Sequence, residues 1–440
     1  MNTVNVYGAG LAGSEAAWQA AKHGAHVRLY EMKPAKRSPA HHSDGFAELV
    51  CSNSLRSAEW TNGCGLLKEE LFRMGSLIME AARATQVAAG GALAVDRHRF
   101  SDYVTEKIRS CPEIEVISTE MTVIPDDEIT VVATGPLTSD ALAKHIAERI
   151  GGNSMYFYDA AAPIVDFESV DMTKAFFASR YEKGTPDYIN CPFTKEEYEI
   201  FYDALLHAEE AELHDFEKGD KLKVFEGCMP VEVMAKRGED TLRFGPMKPV
   251  GIRHPETGEE YYAVVQLRRE NEDGTMYNLV GFQTHLTWPE QRRVFRLIPG
   301  LEQAEFLRYG VMHRNTFLCS PLLLDADYAM RTNPNIYFAG QMTGVEGYIE
   351  SAASGFVAGT NAALRASGRE KFLFPETMMI GAMAQYISAG DAAHFQPMNA
   401  NFGVMPKLEG KVKGKRNRNQ ALSERALAET DRIVPLLQNL

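Results

Sequence analysis

The first thirty residues carry the pattern that most restricts the fold. Residues 4–7 alternate β-branched and polar side chains, as a strand does, and G-A-G-L-A-G follows at 8–13. An Ala-rich helical stretch then runs from Ser14 to His23, Gly24 ends it, and a second short strand leads to Glu31. This order of strand, glycine turn, helix, strand and acid predicts a βαβ unit that binds a dinucleotide.

Each part of this turn has a separate task. Gly8 permits the tight turn, Gly10 lets a pyrophosphate approach the backbone, and Gly13 lets the helix pack closely on the strand. The helix N-terminus offers unpaired N–H groups to the phosphates, and Glu31 can accept hydrogen bonds from ribose hydroxyls. The predicted cofactor contacts here are Gly8, Ala9, Gly10, Leu11, Ala12, Gly13 and Glu31.

This motif does not separate FAD from NAD, but two later stretches favour FAD. Residues 129–135, I-T-V-V-A-T-G, form an apolar strand that ends at Gly135. A second strand at 336–339 is followed by Gly340, a glycine-rich turn with Tyr348, and a helix at 351–364. This layout is typical of flavoproteins with two dinucleotide-binding motifs, although these usually carry Asp where the chain has Gln341. The sequence contains no second G-x-G-x-x-G, so it predicts no NAD(P)H site.

Patterning predicts an interrupted cofactor domain. At ~150 residues each, 440 residues allow two or three domains. Residues 1–150 hold the first part of the FAD-binding domain, with a helix near 66–83. Residues 151–300 contain alternating runs at 262–267 and 277–282 that favour antiparallel strands, and 301–440 return to the cofactor domain with a helical and basic end. We therefore predict an α/β fold: a Rossmann-like FAD-binding domain with an inserted α+β domain containing antiparallel strands.

Composition limits the class of protein and its location. No apolar run approaches the ~20 residues of a membrane span. The N-terminus lacks a basic region and a cleavage site, so we expect a cytoplasmic protein without a membrane segment. The six cysteines show no C-x-x-C spacing, which predicts neither a zinc site nor a disulfide framework.

The charge distribution leaves two interpretations open. A net charge of −13 argues against a protein that coats nucleic acid non-specifically. A local basic run at 407–418 could nevertheless contact phosphates, or it could be a solvated surface segment. Its cations are Lys407, Lys411, Lys413, Lys415, Arg416 and Arg418.

Two of the cysteines lie in stretches that suit chemistry. Cys51 lies in E-L-V-C-S-N-S-L-R-S at 48–57, among groups suited to binding. Cys228 lies in F-E-G-C-M-P-V-E-V-M-A-K-R at 225–237, where Gly and Pro predict a rigid loop. Lys236 and Arg237 could hold its thiol as a thiolate, but a buried structural cysteine fits the local sequence as well.

Long motifs along nearly the whole chain resemble one known family. They include G-A-G-L-A-G-S-E-A-A-W, A-E-L-V-C-S-N-S-L-R-S, G-G-A-L-A-V-D-R, F-E-G-C-M-P-V-E-V-M-A-K-R, Y-G-V-M-H-R-N-T-F, G-Q-M-T-G-V-E-G-Y-I-E-S-A-A-S-G and F-Q-P-M-N-A-N-F-G. In this order they resemble the bacterial folate- and FAD-dependent tRNA (uracil-5-)-methyltransferases, which make ribothymidine in the T-loop.

The resemblance implies a covalent mechanism. C5 of uracil is a poor nucleophile, and a thiolate that adds at C6 converts the ring into an enolate that can attack an electrophile. The family role of this thiolate corresponds to Cys228. The resemblance also implies that the carbon comes from 5,10-methylenetetrahydrofolate by way of reduced FAD, with NADPH or NADH as reductant, and that the target lies in the T-arm of tRNA. No obligate protein partner is inferred.

The resemblance implies further roles with alternatives. Cys51 would protect or position the carbon unit at the flavin, or remove the C5 proton. Arg56, with Asn53 and Ser54, suits flavin or folate contacts, or these residues could cap a helix. His313 would stack on the pterin or be structural.

Other implied roles concern the flavin and the RNA. Tyr348 would lie near the flavin or pack on the core. Lys411, Lys413, Lys415 and Arg416 would contact tRNA phosphates. The target uridine would have to be flipped out of its stack, at a cost of a few kcal/mol.

Three competing functions remain at this stage. One is the related wobble-uridine flavoprotein that works with a GTPase, disfavoured because that relative carries a longer C-terminal region. Another is a flavin-bound tRNA-binding module without turnover. The third is a generic FAD oxidoreductase that acts on a small substrate.

Overall fold

The computed structural model describes the chain except residues 1, 39, 152–153, 161, 183, 212–228, 255–256, 272, 311, 393–394 and 411, and at 154–160 and 312–316 it describes the backbone alone. The strands are β1 Thr3–Tyr7, β2 His26–Glu31, β3 Ser54–Ser57, β4 Gln86–Val87, β5 Ala92–Val95, β6 Ile114–Ser118, β7 Thr130–Val132, β8 Ser154–Ala160, β9 Ile164–Asp166, β10 Phe176–Ala178, β11 Tyr188–Phe193, β12 Ala263–Arg269, β13 Met276–Leu279, β14 Phe306–Arg308, β15 Met312–Leu318, β16 Ala329–Met330 and β17 Asn333–Phe338. The helices are α1 Leu11–Lys22, α2 Gly63–Arg73, α3 Leu77–Ala84, α4 Arg97–Ser110, α5 Asp140–Arg149, α6 Lys195–Leu206, α7 Val231–Ala235, α8 Thr241–Phe244, α9 Trp288–Phe295, α10 Ser320–Leu323, α11 Tyr348–Ala366, α12 Met379–Ala389 and α13 Lys415–Gln438.

The first βαβ unit lies at the centre of a six-stranded sheet with the order β16-β17-β7-β1-β2-β6. Strand β1 pairs in parallel with β2 and β7, and β17 pairs in parallel with β7. The two apolar strands predicted at 129–135 and 336–339 therefore join the same sheet as the glycine motif, as expected. Carboxyl ends of parallel strands meet at one edge, so Gly8, Gly135 and Gly340 lie together there.

Helices α1 and α11 pack closely on this sheet because α11 presents glycines to α1. A Cβ at Gly355 would lie 2.1 Å from the carbonyl oxygen of Ala12, and one at Gly359 would lie 2.3 Å from that of Ala16. Any larger side chain would push the helices apart. The N-termini of both helices are thereby held at the sheet edge where the glycine turns lie.

A second six-stranded sheet is antiparallel, with the order β10-β11-β12-β13-β9-β14. Its strands β12 and β13 coincide with the two alternating runs that predicted antiparallel strands. It has its own buried hydrophobic cluster, formed by residues between 162 and 304, whereas the main cluster draws on 4–150 and 317–437. Smaller sheets are formed by β3-β5-β4 and by β15-β8. The predicted fold class is confirmed.

Two helix predictions need correction. The helix expected near 66–83 is two helices, because Gly75 has a left-handed φ of 81° and ends α2. Ser76 then caps α3 by accepting a hydrogen bond from the Met79 N–H. The first helix also begins at Leu11, three residues before the predicted start, so the glycine turn runs directly into it.

Among the described residues, no helix is both long and apolar enough to cross a membrane.

Candidate functional site

A cleft opens at the carboxyl edge of the parallel sheet, where β1, β7 and β17 end. Its empty space, including the part open to solvent, is about 1130 Å³, the size class of a cofactor site. All predicted cofactor residues except Gly13 line it, namely Gly8, Ala9, Gly10, Leu11, Ala12, Glu31, Gly135, Gly340, Gln341 and Tyr348.

The glycine turn gives the cleft its floor. Gly8 has a φ of 91°, and Gly13 lies so close to it that a Cβ on Gly13 would be 1.8 Å from the Gly8 oxygen. Gly10 is different, because a Cβ there would meet nothing within 4 Å and would project into open space. It precedes α1, whose first turn has no acidic residue and no side-chain cap. The unpaired N–H groups of that turn are therefore available to an anion.

Glu31, at the end of β2, is held rigidly in the wall of the cleft. Its carboxylate accepts hydrogen bonds from the Ala9 N–H at 2.8 Å and from the Lys33 N–H at 3.0 Å. Each oxygen accepts one of these bonds, so each keeps accepting capacity for a further donor. This is the arrangement needed to bind ribose hydroxyls.

The second glycine turn closes the cleft from the other side. Gly340 has a φ of 86° and donates its N–H to the Ser354 hydroxyl at 2.7 Å. The Gln341 side chain, which stands where Asp is usual, donates to Glu346 at 2.9 Å. Helix α11 begins at Tyr348, so a second helix N-terminus points at the same cleft.

Cys51 lies at the end of this cleft, next to Tyr348. The Tyr348 hydroxyl accepts hydrogen bonds from the N–H groups of Cys51 at 2.8 Å and Ser52 at 3.2 Å. Burial and the neighbouring Cys51 raise the pKa of Tyr348, so its hydroxyl stays protonated. Val50, the residue before Cys51, lines the cleft. These contacts join two residues that the family resemblance places, each separately, near the flavin.

Two arginines that the sequence did not assign hold the Cys51 loop. Arg97 donates to the Leu49 carbonyl at 2.5 Å, and Arg308 donates to the Val50 carbonyl. Burial alone would lower the pKa of Arg97, but its ion pair with Glu270 at 2.7 Å raises it. Burial, together with the like charge of Arg97, lowers the pKa of Arg308. Cys51 therefore lies in a partly open environment close to two guanidinium groups, one of them paired with Glu270.

Arg56 lies in a separate cluster behind α11. It pairs with Glu350 at 3.4 Å and approaches the Cys64 sulfur at 3.9 Å. Burial and Glu350 raise the pKa of the Cys64 thiol, and burial lowers the pKa of Lys68 to about 8. Residues 54–57 form strand β3, so the alternative that this stretch caps a helix is wrong.

Asn53 is turned inward rather than toward a ligand. Its side chain is fully buried and donates to the carbonyls of Val95 and Arg269, both at 2.9 Å. Its oxygen accepts from Arg268 at 3.1 Å. The contacts to flavin or folate suggested for Asn53 are therefore replaced by contacts that join the two hydrophobic clusters.

Three predicted site residues have no described side chain. Cys228 and Lys411 lie outside the described residues. The described neighbours of the Cys228 segment are anchored close together, since Ala211 donates to the His285 carbonyl at 2.9 Å and Val231 to that of Gln283 at 2.8 Å. The backbone of His313 belongs to β15 and pairs with β8.

The basic run ends in a helix rather than a loop. Lys413, Lys415 and Arg416 are exposed, and the last two form the first turn of α13. Cations at a helix N-terminus oppose the helix dipole, so helix stability does not account for them.

Sequence reasoning assigned no role to Arg97, Arg308 or Glu270. Only the first two lie in or next to a motif shared with the family. Arg97 ends the quoted motif G-G-A-L-A-V-D-R, and Arg308 directly precedes Y-G-V-M-H-R-N-T-F, but neither had an assigned role. Glu270 lies in no quoted motif. Only the folded contacts with the Cys51 loop identify these three residues.

The residues of the cleft fit FAD. Gly10 leaves open space where a pyrophosphate must approach the N-terminus of α1, and Glu31 is oriented for a ribose. Among the described residues, no group of His, Cys, Asp and Glu could hold a metal ion.

Comparisons with known proteins agree with this geometry. Residues 3–370 match the family described as glucose inhibited division protein A. The methylenetetrahydrofolate–tRNA-(uracil-5-)-methyltransferase TrmFO of Acetivibrio thermocellus is 62% identical over 424 residues, covering 96% of this chain and 97% of that protein. The protein of the same name from Lactiplantibacillus plantarum is 59% identical over 427 residues, covering 97% and 96%.

Solved structures share the fold. Aquifex aeolicus GidA matches with TM-scores of 0.72 and 0.71 in two crystal forms, at 18% and 17% identity. Each match covers all of this chain and 76% or 75% of the other. Because the methyltransferases are far more similar in sequence, the chain belongs to the glucose inhibited division protein A family and, within it, to the methylenetetrahydrofolate–tRNA-(uracil-5-)-methyltransferases.

Proposed function

We propose that this protein methylates C5 of a uridine in the T-arm of tRNA, with 5,10-methylenetetrahydrofolate as carbon donor, FAD as cofactor and NADPH or NADH as reductant. One observation carries the proposal: in a chain of this family, Val50 and Tyr348 line the dinucleotide cleft, and Cys51 lies directly between them in contact with Tyr348. Arg97 and Arg308 hold the backbone of the same loop. A cofactor site and a potentially reactive thiol therefore adjoin each other.

The redox balance shows that a hydride donor is needed, and FAD can serve as one. The carbon of methylenetetrahydrofolate is two electrons more oxidised than a methyl group, so its transfer to uracil must be accompanied by a hydride. Bound FAD, once reduced by NAD(P)H, supplies that hydride. The chain contributes the N-terminus of α1 for the pyrophosphate and the Glu31 carboxylate for the ribose.

The covalent step is assigned to Cys228. Its thiolate would form a bond to C6 of uracil, and the electron pair displaced from the C5–C6 double bond would make C5 nucleophilic. After C5 has bound the carbon unit, loss of the C5 proton expels the carrier from that carbon and leaves an exocyclic methylene on the ring. Hydride addition to the methylene then forms the methyl group, restores the C5–C6 double bond and expels the Cys228 thiolate from C6. The cysteine is thus regenerated at each turnover.

Cys51 is proposed to act at the same uridine. A role as base for the C5 proton requires a Cys51 thiolate, and guanidinium groups close to a thiol generally favour that form. A role in protecting the carbon unit requires only that the thiol lie beside the reacting end of the cofactor. Both roles need the position that the Tyr348 hydrogen bonds maintain.

The RNA is proposed to reach the cleft with the help of local cations on an acidic protein. Lys413, Lys415 and Arg416 offer exposed charge at the start of α13, where phosphates would also meet free N–H groups. His313 is proposed to stack on the pterin. With a tRNA substrate and a folate donor, the activity is expected in the cytoplasm.

The direct test is release of the C5 hydrogen. We would incubate the flavin-loaded protein with a T-arm stem-loop RNA that carries tritium at C5 of its uridines, and measure tritium in water and 5-methyluridine after digestion. We expect both only when methylenetetrahydrofolate and NAD(P)H are present. An anticodon-arm RNA serves as control, since its preferential modification would favour the wobble-uridine function instead.

A further inference from the structure

Three aromatic rings form a stack on the surface of the antiparallel domain. Trp288 stacks on Tyr309 with ring centres 5.4 Å apart and an interplanar angle of 16°. Tyr309 stacks in turn on Phe306 at 5.4 Å and 18°. Trp288 ends the stack and is 59% exposed. A flat ring fixed by two others behind it, with much of its surface in solvent, is a platform for another flat group.

Positive charge surrounds this stack. Arg292 donates twice to the Tyr309 hydroxyl, at 3.0 and 2.6 Å, and its guanidinium is exposed. No carboxylate of the described residues lies within ion-pair distance of it. Arg296, one turn further, donates to the Ala304 carbonyl rather than to an acid. Of the three arginines on this segment, only Arg293 is neutralised, by Glu290 at 2.6 Å.

The stack is connected to the Cys51 loop through β14. Phe306 begins this strand and Arg308 ends it, and Arg308 donates to the carbonyl of Val50. Tyr309 follows immediately. One short strand therefore joins the aromatic stack to an arginine that holds the Cys51 loop.

We infer that the Trp288 platform, formed by Trp288, Tyr309 and Phe306 with Arg292 beside it, binds an unpaired base of the RNA substrate. Aromatic faces stack on bases of any identity, and a neighbouring guanidinium binds the phosphate that follows. The pairing of an exposed stacked ring with Arg292 favours RNA, which offers a flat base and a phosphate side by side, over an acidic protein patch, which offers charge alone. The inference rests on the proposed tRNA substrate and deepens it, since it states where bases outside the reacting uridine are held.

The test compares two RNAs of similar length and charge. One is a T-arm stem-loop and the other is the same stem closed as a blunt duplex without unpaired bases. Dissociation constants would be measured by fluorescence anisotropy for the FAD-loaded protein and for Trp288→Ala, Trp288→Phe and Ile200→Ala. Ile200 lies on α6 of the same domain and is 61% exposed, which makes it a matched control.

We expect Trp288→Ala to weaken stem-loop binding by about 5- to 150-fold, the range for loss of one base–aromatic stack. Duplex binding, flavin content and NAD(P)H oxidation without RNA should stay unchanged. Trp288→Phe should recover most of the affinity because it keeps a flat ring. Ile200→Ala should behave as the unchanged protein.

Two results would overturn the inference. Equal stem-loop affinity in Trp288→Ala and the unchanged protein would exclude stacking at this position, while leaving the methyltransferase function intact. An equal loss for duplex and stem-loop would indicate a non-specific surface effect. If the unchanged protein neither binds nor methylates the stem-loop, the proposed function itself fails, and this outcome is distinct from the other two.

Discussion

At the scale of single residues, the glycines of the motif differ in whether the fold or the cofactor requires them. Gly8 and Gly13 have backbone neighbours that leave no room for a Cβ, so they are required by the fold itself. Gly10 has a φ of −72° and open space around its Cβ direction. Its lack of a side chain therefore serves only the molecule that enters the cleft.

Gly10→Ala should fold and fail to bind FAD. The cost to the free protein should be no more than about 1 kcal/mol, the usual effect of Ala at a helix N-cap. The added methyl group would occupy the space for the pyrophosphate, so flavin content after purification should fall at least tenfold. Absorbance of released flavin and thermal unfolding of the flavin-free protein would measure both effects.

The matched control for this change is Gly91→Ala. Gly91 also has nothing within 4 Å of its Cβ direction and no left-handed φ, but it does not line the cleft. Its flavin content should be normal. Normal flavin content in Gly10→Ala would contradict the placement of the pyrophosphate at the start of α1.

Some residues of the site were predictable and others were not, for a physical reason. The glycine motif and Glu31 act through local backbone geometry, which a short stretch of sequence determines. The surroundings of Cys51 depend on Arg97, Arg308 and Tyr348, which come from distant parts of the chain. No local pattern encodes such a meeting, so the charge around the thiol could be found only in the folded protein.

At the scale of elements, α2 carries a buried cation that should leave a signature in the pH dependence of stability. Lys68 is 4% exposed and donates to the carbonyls of Ser57 at 2.7 Å and Cys64 at 3.3 Å. Burial lowers its pKa from 10.5 to about 8. Between these values the unfolded chain binds more protons than the folded one, so stability rises with pH across that window.

Lys68→Met should remove this rise. The free energy of unfolding of the unchanged protein, relative to Lys68→Met, should increase between about pH 8 and about pH 10 by at most about 3 kcal/mol. Below this window the difference should be constant, because the lysine is then charged in both states. Denaturant titrations of both proteins at several pH values would measure it, and a flat or falling difference would contradict the assignment.

The cations at the start of α13 should lower the stability of the helix and strengthen RNA binding. Lys415→Gln with Arg416→Gln removes cations from a helix N-terminus, and each change should stabilise the helix by about 0.3–1 kcal/mol or less. The same double change should weaken T-arm RNA binding. It should also reduce the salt dependence of log Kd by up to ~0.9 for each phosphate group that the protein no longer neutralises.

Arg432→Gln is the control for that double change. Arg432 lies near the other end of α13 and pairs with Glu429. Its removal should leave the salt dependence unchanged. If both variants reduce RNA affinity equally, the basic run has no specific role and the protein attracts RNA only through its general charge.

Element boundaries illustrate what sequence patterns can provide. Three strands of the parallel sheet, β1, β7 and β17, were predicted because each is short, apolar and soon followed by glycine. The sequence patterns did not indicate β6 and β16. The break between α2 and α3 was missed because apolar residues continue through it at helical spacing, although Gly75 and Ser76 signal a stop and a new cap. The boundary between the two helices is therefore indicated by the turn residues and not by the spacing of apolar residues.

At the scale of the whole molecule, a buried ion pair joins the two hydrophobic clusters. Arg97 starts α4 beside the parallel sheet, and Glu270 follows β12 of the antiparallel sheet. Their side chains are 12% and 1% exposed. Removing a partner from a buried pair typically costs about 3–5 kcal/mol. For Arg97 the loss should be toward the lower end, because Glu270 keeps a longer contact with Arg268 at 3.9 Å.

A double-mutant cycle tests this connection. Arg97→Met and Glu270→Leu should each lower the unfolding free energy strongly, and the double variant should lose at least about 1 kcal/mol less than the sum. The exposed pair Lys174–Glu302, joined at 2.7 Å, is the control and should show little coupling. Additive losses at Arg97 and Glu270 would mean that the pair does not join the two halves energetically.

The class of fold followed from the sequence, while the arrangement of its halves did not. The chain leaves the cofactor domain, forms a separate antiparallel sheet and then returns. Strand β8 lies where the chain leaves and β15 where it returns, and the two strands pair with each other. Such long-range pairing depends on contacts between residues that lie far apart along the chain, as Ala160 and Met312 do. Local patterns can indicate that an insertion exists, but they cannot place Arg308 beside Cys51.

The most direct test of the proposed function is a covalent trap. The flavin-loaded protein would be incubated with a T-arm RNA carrying 5-fluorouridine at the target position, methylenetetrahydrofolate and NADPH, and then run on a denaturing gel beside Cys228→Ala and Cys51→Ala. Fluorine cannot leave as a proton does, so a thiolate at C6 stays attached. We predict a shifted band that is lost in Cys228→Ala and still formed in Cys51→Ala if Cys51 serves as base. The absence of any shifted band with active, flavin-loaded protein would contradict covalent catalysis.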